Sequence, residues 1–264
     1  MTTRRSSDKT TIRFLRNLDE LRAVLESIGP PCWASGPTGS ALLGFDGYEL
    51  KPPFHIAVPN ARAPHRVAHI VHRLRDIDRL DTTTAYDLPC LSATRILIEL
   101  AASETPKRLT AALDSALRDG GTSEDFLHRR IVALRRPGRP GLAKLLGVIG
   151  GSEITRGGHS YLERTFLELV ADLGLPRPDT QQVVAKRRKK LIRVDCRFPG
   201  TKVVVELLGY EFHRTRMQMQ DDSERLNRLQ LDGFVAIQFT YTDVVTRSPH
   251  MRAILAEIGA SLIV

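Results

Sequence analysis

A chain of 264 residues, 42% hydrophobic and 26% charged, has room for two ordinary domains and belongs by composition to the soluble globular class. Its formal net charge of +9 and pI near 9.8 favour polyanionic partners, and both nucleic acid and an anionic membrane surface suit that field. No apolar run is long enough to span a bilayer, and no lipid anchor or basic amphipathic helix stands out, so no membrane association is expected.

The polar residues 1–11 are expected to be loose, and no apolar segment follows them, so a signal peptide is not expected. Cys32, Cys90 and Cys196 are odd in number, far apart and without CxxC spacing. They read as reduced thiols in a cytoplasmic protein. Phe14, Leu15, Leu18, Leu21, Val24, Leu25 and Ile28 recur at helical spacing until Gly29-Pro30-Pro31 stops the pattern. Trp33 opens a short strand or turn, and a helix follows near 40–43. Residues 54–58 and 67–74 read as strands, set apart by Pro52-Pro53 and Pro59-Asn60.

Helices then dominate. One starts at Ser92 with Ile96, Leu97 and Leu100 on its apolar stripe; a second covers 106–117 and ends at Gly120-Gly121; a third has Ser123 as its N-cap. A basic, Pro/Gly-rich break at 135–141 and a short helix at 142–149 lead to Gly150-Gly151. The domain boundary is placed there, giving a mainly helical α+β domain over 1–150 and an α/β domain over 151–264. In the second half a helix at 161–173 precedes a strand at 181–185 and a turn at 186–190. Strands 191–198 and 202–208 follow, joined by Pro199-Gly200; then come a helix at 219–231, a strand at 234–240 and a last helix begun by Ser248-Pro249.

The chemistry concentrates on two acids. Period-two alternation puts Ile192, Val194, Cys196 and Phe198 on one face of their strand and Arg193, Asp195 and Arg197 on the other. In the next strand Val204, Glu206 and Leu208 share a face. A short Pro-Gly turn makes the strands antiparallel neighbours, so Asp195 and Glu206 can approach closely enough to share one cation. Mg2+ suits such a pair, since it takes hard oxygen ligands and keeps several waters. The bland alternative is one solvated acid and one acid paired with Arg193 or Arg197. Glu206 weighs against it: a carboxylate after three valines is partly buried, and a buried acid needs a cation or a hydrogen-bonding network.

Glu163, Val194-Asp195, Val203-Val-Val-Glu206, Gly209 and His213 together resemble the very-short-patch-repair-like branch of the PD-(D/E)xK nuclease superfamily. Asp222, Arg225, Asn227, Leu229, Gly233 and the run 235–240 extend the match over roughly residues 153–262 in order and spacing. The resemblance implies a restriction-endonuclease-like mixed sheet of four or five strands flanked by helices. It implies hydrolysis of DNA phosphodiesters with a divalent ion; the preferred reading here is Mg2+ or Mn2+ held by Asp195 and Glu206, in DNA repair or phage defence, with Gln238 or His213 as the candidates to position the attacking water. Two positions depart from the pattern. Leu208 stands where related members carry an acid and the wider superfamily a lysine, and it can neither ligate metal nor orient water. Gln238 stands where an arginine is usual. Leu208 favours a second reading, a non-catalytic nucleic-acid-binding regulator with a degenerate nuclease domain.

Glu163 also completes a capping box with Ser160, so capping and site roles weigh equally there. His213 is a candidate phosphate donor or proton shuttle beside the ordinary reading of a surface histidine. Asp222 and Arg225, three apart on a helix, read first as a surface ion pair. Lys186, Arg187, Arg188, Lys189 and Lys190 form the densest basic run, and with Arg193 they are the candidate contacts to a DNA backbone. His65, His69 and His72 lie on a strand, where neighbouring offsets point to opposite faces, so zinc is rejected. In the first half, Trp33-Ala-Ser-Gly-Pro-Thr-Gly-Ser-Ala-Leu-Leu-Gly-Phe-Asp-Gly47, His55-Ile-Ala-Val-Pro59 and Ser92-Ala-Thr-Arg-Ile-Leu-Ile-Glu-Leu100 resemble the antitoxin module of AbiEi-type abortive-infection systems, over about residues 12–148. Too few residues precede Trp33 for a complete winged helix. The preferred expectation is an accessory domain that positions the nuclease or binds a protein partner.

Overall fold

The computed structural model describes the backbone of residues 2–62, 68–156, 160–187, 190–208 and 216–262, and side chains over 11–62, 68–151, 160–184, 192–208 and 220–260. The chain divides into two compact units, Met1–Ile149 and Gly150–Val264. Each carries a mixed sheet with helices packed on it, a mixed α/β architecture throughout.

The first unit runs α1 (Thr2–Ile28), β1 (Trp33–Ala34), α2 (Gly36–Leu42), β2 (His55–Pro59), β3 (Ile70–Leu74), β4 (Thr82–Ala85), β5 (Leu88–Leu91), α3 (Ala93–Leu100), α4 (Pro106–Arg118) and α5 (Glu124–Ala133), and α6 (Leu142–Arg156) crosses the division. Its sheet order is β3-β2-β1-β5-β4, with β1–β5 and β2–β3 parallel and the other pairs antiparallel. Helix starts follow the capping chemistry of the sequence. Ser92, Thr105 and Ser123 accept hydrogen bonds from the N–H groups of Arg95, Arg108 and Phe126, each satisfying a first-turn donor. The start of α1 differs from expectation: residues 2–11 are helical rather than loose. Neither proline nor glycine occurs before Gly29, so nothing in this stretch breaks a helix that Phe14 to Ile28 anchors.

A buried ionic cluster ties this unit together. Asp81, 1% exposed, accepts from Arg95 Nη1 and Arg130 Nη2, both at 2.8 Å. Arg95 also donates to Glu99 and to the Arg75 and Asp76 carbonyls, and Arg139 reaches Glu99 at 2.6 Å. Buried guanidinium groups persist only when paired in this way.

The second unit runs α7 (Tyr161–Asp172), β6 (Asp179–Arg187), β7 (Lys190–Arg197), β8 (Val203–Leu208), α8 (Arg216–Leu231), β9 (Val235–Thr240), α9 (Tyr241–Thr246) and α10 (Pro249–Leu262). Strands β6 to β8 form antiparallel neighbours, and β9 returns parallel to β8 through the α8 crossover, giving the order β6-β7-β8-β9. Helices cover both faces. Phe166, Leu169 and Val170 of α7, Val244 of α9 and Met251 and Leu255 of α10 pack with Cys196, Phe198, Val205 and Phe239. Leu229 of α8 packs with Ile192, Val194 and Val204. Val204 and Val205 are each fully buried on opposite faces, which explains why β8 reads as an unbroken apolar run.

Strand β7 departs from the period-two alternation expected of it. Ile192, Val194, Cys196 and Phe198 are all buried but do not share a face: the first two join the α8-side cluster and the last two the α7-side cluster. The alternation is interrupted at Asp195. On β6 the partner stretch is irregular too, with Gln181 at φ 54 and a register shift between Val183 and Ala185.

Candidate active site

The register of the four strands assembles one transverse row. Thr180 pairs Cys196 and Gln182 pairs Val194, which sets Gln181 opposite Asp195. One step beyond the Cys196↔Val205 pair, Asp195 falls opposite Glu206, and Glu206 pairs Gln238 directly. Three of the side chains expected to meet therefore lie in one line across the sheet, with Gln181 added at its end.

Asp195 is half-buried, and its Oδ2 accepts the Leu207 N–H at 2.8 Å. A side chain here takes a backbone donor of the neighbouring strand, where the ladder's regular alternation lapses. Burial pushes the Asp195 carboxyl above its ordinary value; the Leu207 N–H draws it down, the nearby Glu163 charge adds to the rise and Arg225 offsets part of it. Glu206 is 5% exposed. Its Oε2 accepts from Gln238 Nε2 at 3.2 Å and Arg225 Nη1 at 3.3 Å. Its Oε1 lies 2.7 Å from Arg225 Nη2, but the alignment does not make a hydrogen bond, so Oε1 is buried without one. Burial raises the Glu206 carboxyl as well, against the pull of Arg225 and Gln238, and the charges of Asp195 and Asp222 add to the rise. Next to the pair, burial and then the charges of Asp195 and Glu163 push the Cys196 thiol up to about 12, which leaves it protonated and unreactive at neutral pH.

Glu163 does what the capping box foretold. Its Oε2 accepts from the Ser160 N–H and its own N–H donates to Ser160 Oγ, both at 3.3 Å. It also accepts from Gln181 Nε2, and its charge bears on Asp195, so capping does not remove it from the carboxylate group. Gln181 is a non-glycine residue held in the left-handed region, a conformation that costs free energy and is retained where the surroundings impose it. Nothing in the sequence marked it.

Arg225, expected as the surface partner of Asp222, reaches the buried carboxylate of Glu206. Its guanidinium spans Glu206 and donates to the Arg193 carbonyl. The signal was helical phase: Arg225 lies four residues before the buried Leu229 and so on the face of α8 turned to the sheet. Leu208 ends β8 half-buried, two residues past Glu206. His213 and Gly209 lie outside the described residues. Of the basic run, Arg188 and Lys189 lie outside them; β6 and β7 pair as far as Arg187↔Lys190, and Arg193 is exposed on β7. Of the three histidines weighed for zinc, His69 Nδ1 accepts the Phe54 N–H at 3.2 Å, and His72 Nε2 lies 2.9 Å from His55 Nδ1. His65 lies outside the described residues.

No three His, Cys, Asp or Glu side chains converge as a metal cage among the described residues. A hard divalent ion that keeps most of its waters does not need one. Two raised carboxylates on facing strands, one with a buried oxygen lacking a hydrogen bond, form a donor set of the right chemistry.

No protein-family profile matches the chain. Two Mycobacterium tuberculosis proteins are 27% identical to it over 236 residues, covering 86% of this chain and 81% of each relative: uncharacterized protein MT2308 of strain CDC 1551 / Oshkosh and uncharacterized protein Rv2248 of strain H37Rv. Among solved structures, the catalytic domain of the homing endonuclease I-Bth0305I is similar at 16% identity with a TM-score of 0.29, over 38% of this chain and 91% of that domain.

Proposed function

We propose that the carboxy-terminal unit is a divalent-metal-dependent DNA endonuclease, with Asp195 and Glu206 holding Mg2+ or Mn2+. The observation that carries this reading is the state of Glu206: a carboxylate buried beside a second raised carboxylate and neutralised by one partly exposed arginine, Arg225. Burial of that kind is costly, and a divalent ion would offset it more fully than the single guanidinium that pairs the carboxylate here. A divalent ion held there would polarise a phosphoryl oxygen and lower the pKa of a bound water.

The protein's own groups complete the reading. The Leu207 N–H fixes Asp195, and the Gln238 amide fixes Glu206 while standing in line with both acids. Glu163, tied by Ser160 and Gln181, adds negative charge that strengthens cation binding. His213 is the remaining candidate for proton transfer. Arg193 and the run Lys186 to Lys190 would grip the DNA backbone, supplying affinity and salt dependence without choosing a sequence. The amino-terminal unit is read as an AbiEi-antitoxin-like accessory domain that positions the nuclease or binds a protein partner.

A supercoiled-plasmid nicking assay with Mg2+ or Mn2+, with and without chelator, tests this. Cleavage is expected with the ion and lost in Asp195→Asn and Glu206→Gln. The second reading, a non-catalytic DNA-binding regulator, draws on the half-buried Leu208 two residues past Glu206. Salt-sensitive DNA binding with no cleavage by any ion would favour it.

A further inference from the structure

The arginine that holds Glu206 carries an inference beyond the carboxylate pair, and it rests on the reading of that pair as a metal site. Arg225 reaches in from α8 on the opposite side of the strand from the solvent-facing Arg193 side chain. Its Nη2 is 2.7 Å from Glu206 Oε1, its Nη1 is 3.3 Å from Oε2, and Nη2 donates to the Arg193 carbonyl. The Arg225 side chain is 34% exposed whereas that of Glu206 is 6% exposed, so the pair joins a buried carboxylate to a side chain that reaches solvent. A guanidinium has five N–H donors in a fixed plane, and these contacts do not use them all. Both oxygens of Glu206 are thus claimed by the same cation, and a divalent ion must share or displace it. The Arg193 carbonyl remains as an anchor when the carboxylate is taken.

We propose that Arg225 is a metal-gated phosphate-binding residue: it neutralises Glu206 while no ion is bound, competes with a divalent cation for that carboxylate, and is released by the ion to bind a substrate phosphodiester. A planar fork suits phosphate recognition in two-point geometry. The exchange is balanced in charge, because the arriving ion takes over the carboxylate that the guanidinium gives up. Two couplings follow. Removing the arginine charge removes a competitor for Glu206, so ion affinity rises. Arg225 adds to DNA affinity only when the ion is present.

The test uses the full chain and Ca2+, an oxygen-seeking ion, with a short duplex as probe. Calorimetry without DNA is expected to show tighter Ca2+ binding in Arg225→Gln than in wild type, by at least about threefold. DNA affinity without ion is expected to be the same in both proteins, and the gain that Ca2+ gives the wild type is expected to be lost in the variant. Unchanged or weaker Ca2+ binding in the variant, or an equal loss of DNA affinity with and without the ion, overturns the proposal. Should Arg225→Gln not fold, arginine Nε–Hε resonances of the wild type decide: the Arg225 signal, assigned with Arg225→Lys, must move on titration with Mg2+, and a fixed signal overturns the proposal. Absence of Ca2+ binding in the wild type sinks the carboxylate-pair reading itself, a failure visible before any variant is made.

Discussion

If Asp195 and Glu206 hold a divalent ion, that ion stabilises the second unit against heat, and the effect has a size and a pH signature. An ion at about a hundred times its dissociation constant stabilises the folded state by about 2.7 kcal/mol. For a unit the size of Gly150–Val264, each kcal/mol moves the melting temperature by about 4 °C, so the shift is roughly 11 °C. Both carboxyls are raised by burial. In chelator, a raised folded-state value contributes stability that is fully present below the unfolded value and is lost as pH rises through the folded one. The metal-free unit therefore weakens as pH climbs out of the acid range. With the ion present the sign reverses, because binding needs both acids ionised: affinity falls by up to about tenfold per pH unit for each carboxylate on going acid. Scanning calorimetry across mildly acid to neutral pH, with Mn2+ and with chelator, reads both slopes. Asp195→Asn keeps an acceptor for the Leu207 N–H yet should abolish the ion-dependent shift, and Glu206→Gln should do the same. Equal slopes with and without the ion, or an unaltered shift in either variant, would refute the reasoning.

Asp81→Ala should cost the first unit roughly 3–5 kcal/mol, because it strips the Arg95 and Arg130 guanidinium groups of a buried partner held at 2.8 Å by each. Urea unfolding checks this, and a loss under about 1 kcal/mol would mean the cluster reorganises around water instead. Neutralising Lys186, Arg187, Arg188, Lys189 and Lys190 should flatten the salt dependence of DNA binding, by about 0.9 in the log–log slope for each phosphate contact given up. A slope that does not change would place the DNA-binding surface elsewhere.

The two acids were legible because their setting was local: a Pro-Gly turn between apolar strands fixes which residues face each other. Their supports were not. The Leu207 N–H that holds Asp195 is a backbone group with no signature in the sequence, and Gln181 enters through a left-handed backbone that glutamine does not advertise. In the first unit the β4–β5 hairpin went unread for a related reason. Its turn residues Tyr86 and Asp87 both have positive φ, 52 and 58, the geometry that Asn-Gly would have announced, and Pro89 sits inside β5. The six-residue α9 was not anticipated between the last strand and the helix at Ser248: Val244, Val245 and Thr246 are β-branched and disfavour a helix, although Thr240 and Asp243 form a capping box.

Among the described residues acids are buried in two places and held differently, and that difference is the strongest argument for assigning them different work. Asp81 has each oxygen in a hydrogen bond to its own guanidinium, and those guanidinium groups are held in turn by Glu99, Asp78 and backbone carbonyls. Arg130 Nε is buried without a hydrogen bond, but both Asp81 oxygens are taken, so the cluster offers an added cation no carboxylate oxygen. Glu206 shares a single, partly exposed arginine across both oxygens, one of them without an aligned donor, and faces a second acid that is itself destabilised by burial. Had the strand needed only to fold, an apolar pair in place of Glu206 and Arg225 would have served it as well, since replacing a buried ion pair by packed apolar side chains is often neutral or stabilising. A cation of higher charge than one arginine would lower the cost of ionising Glu206 next to Asp195, which is the state the proposed metal site requires.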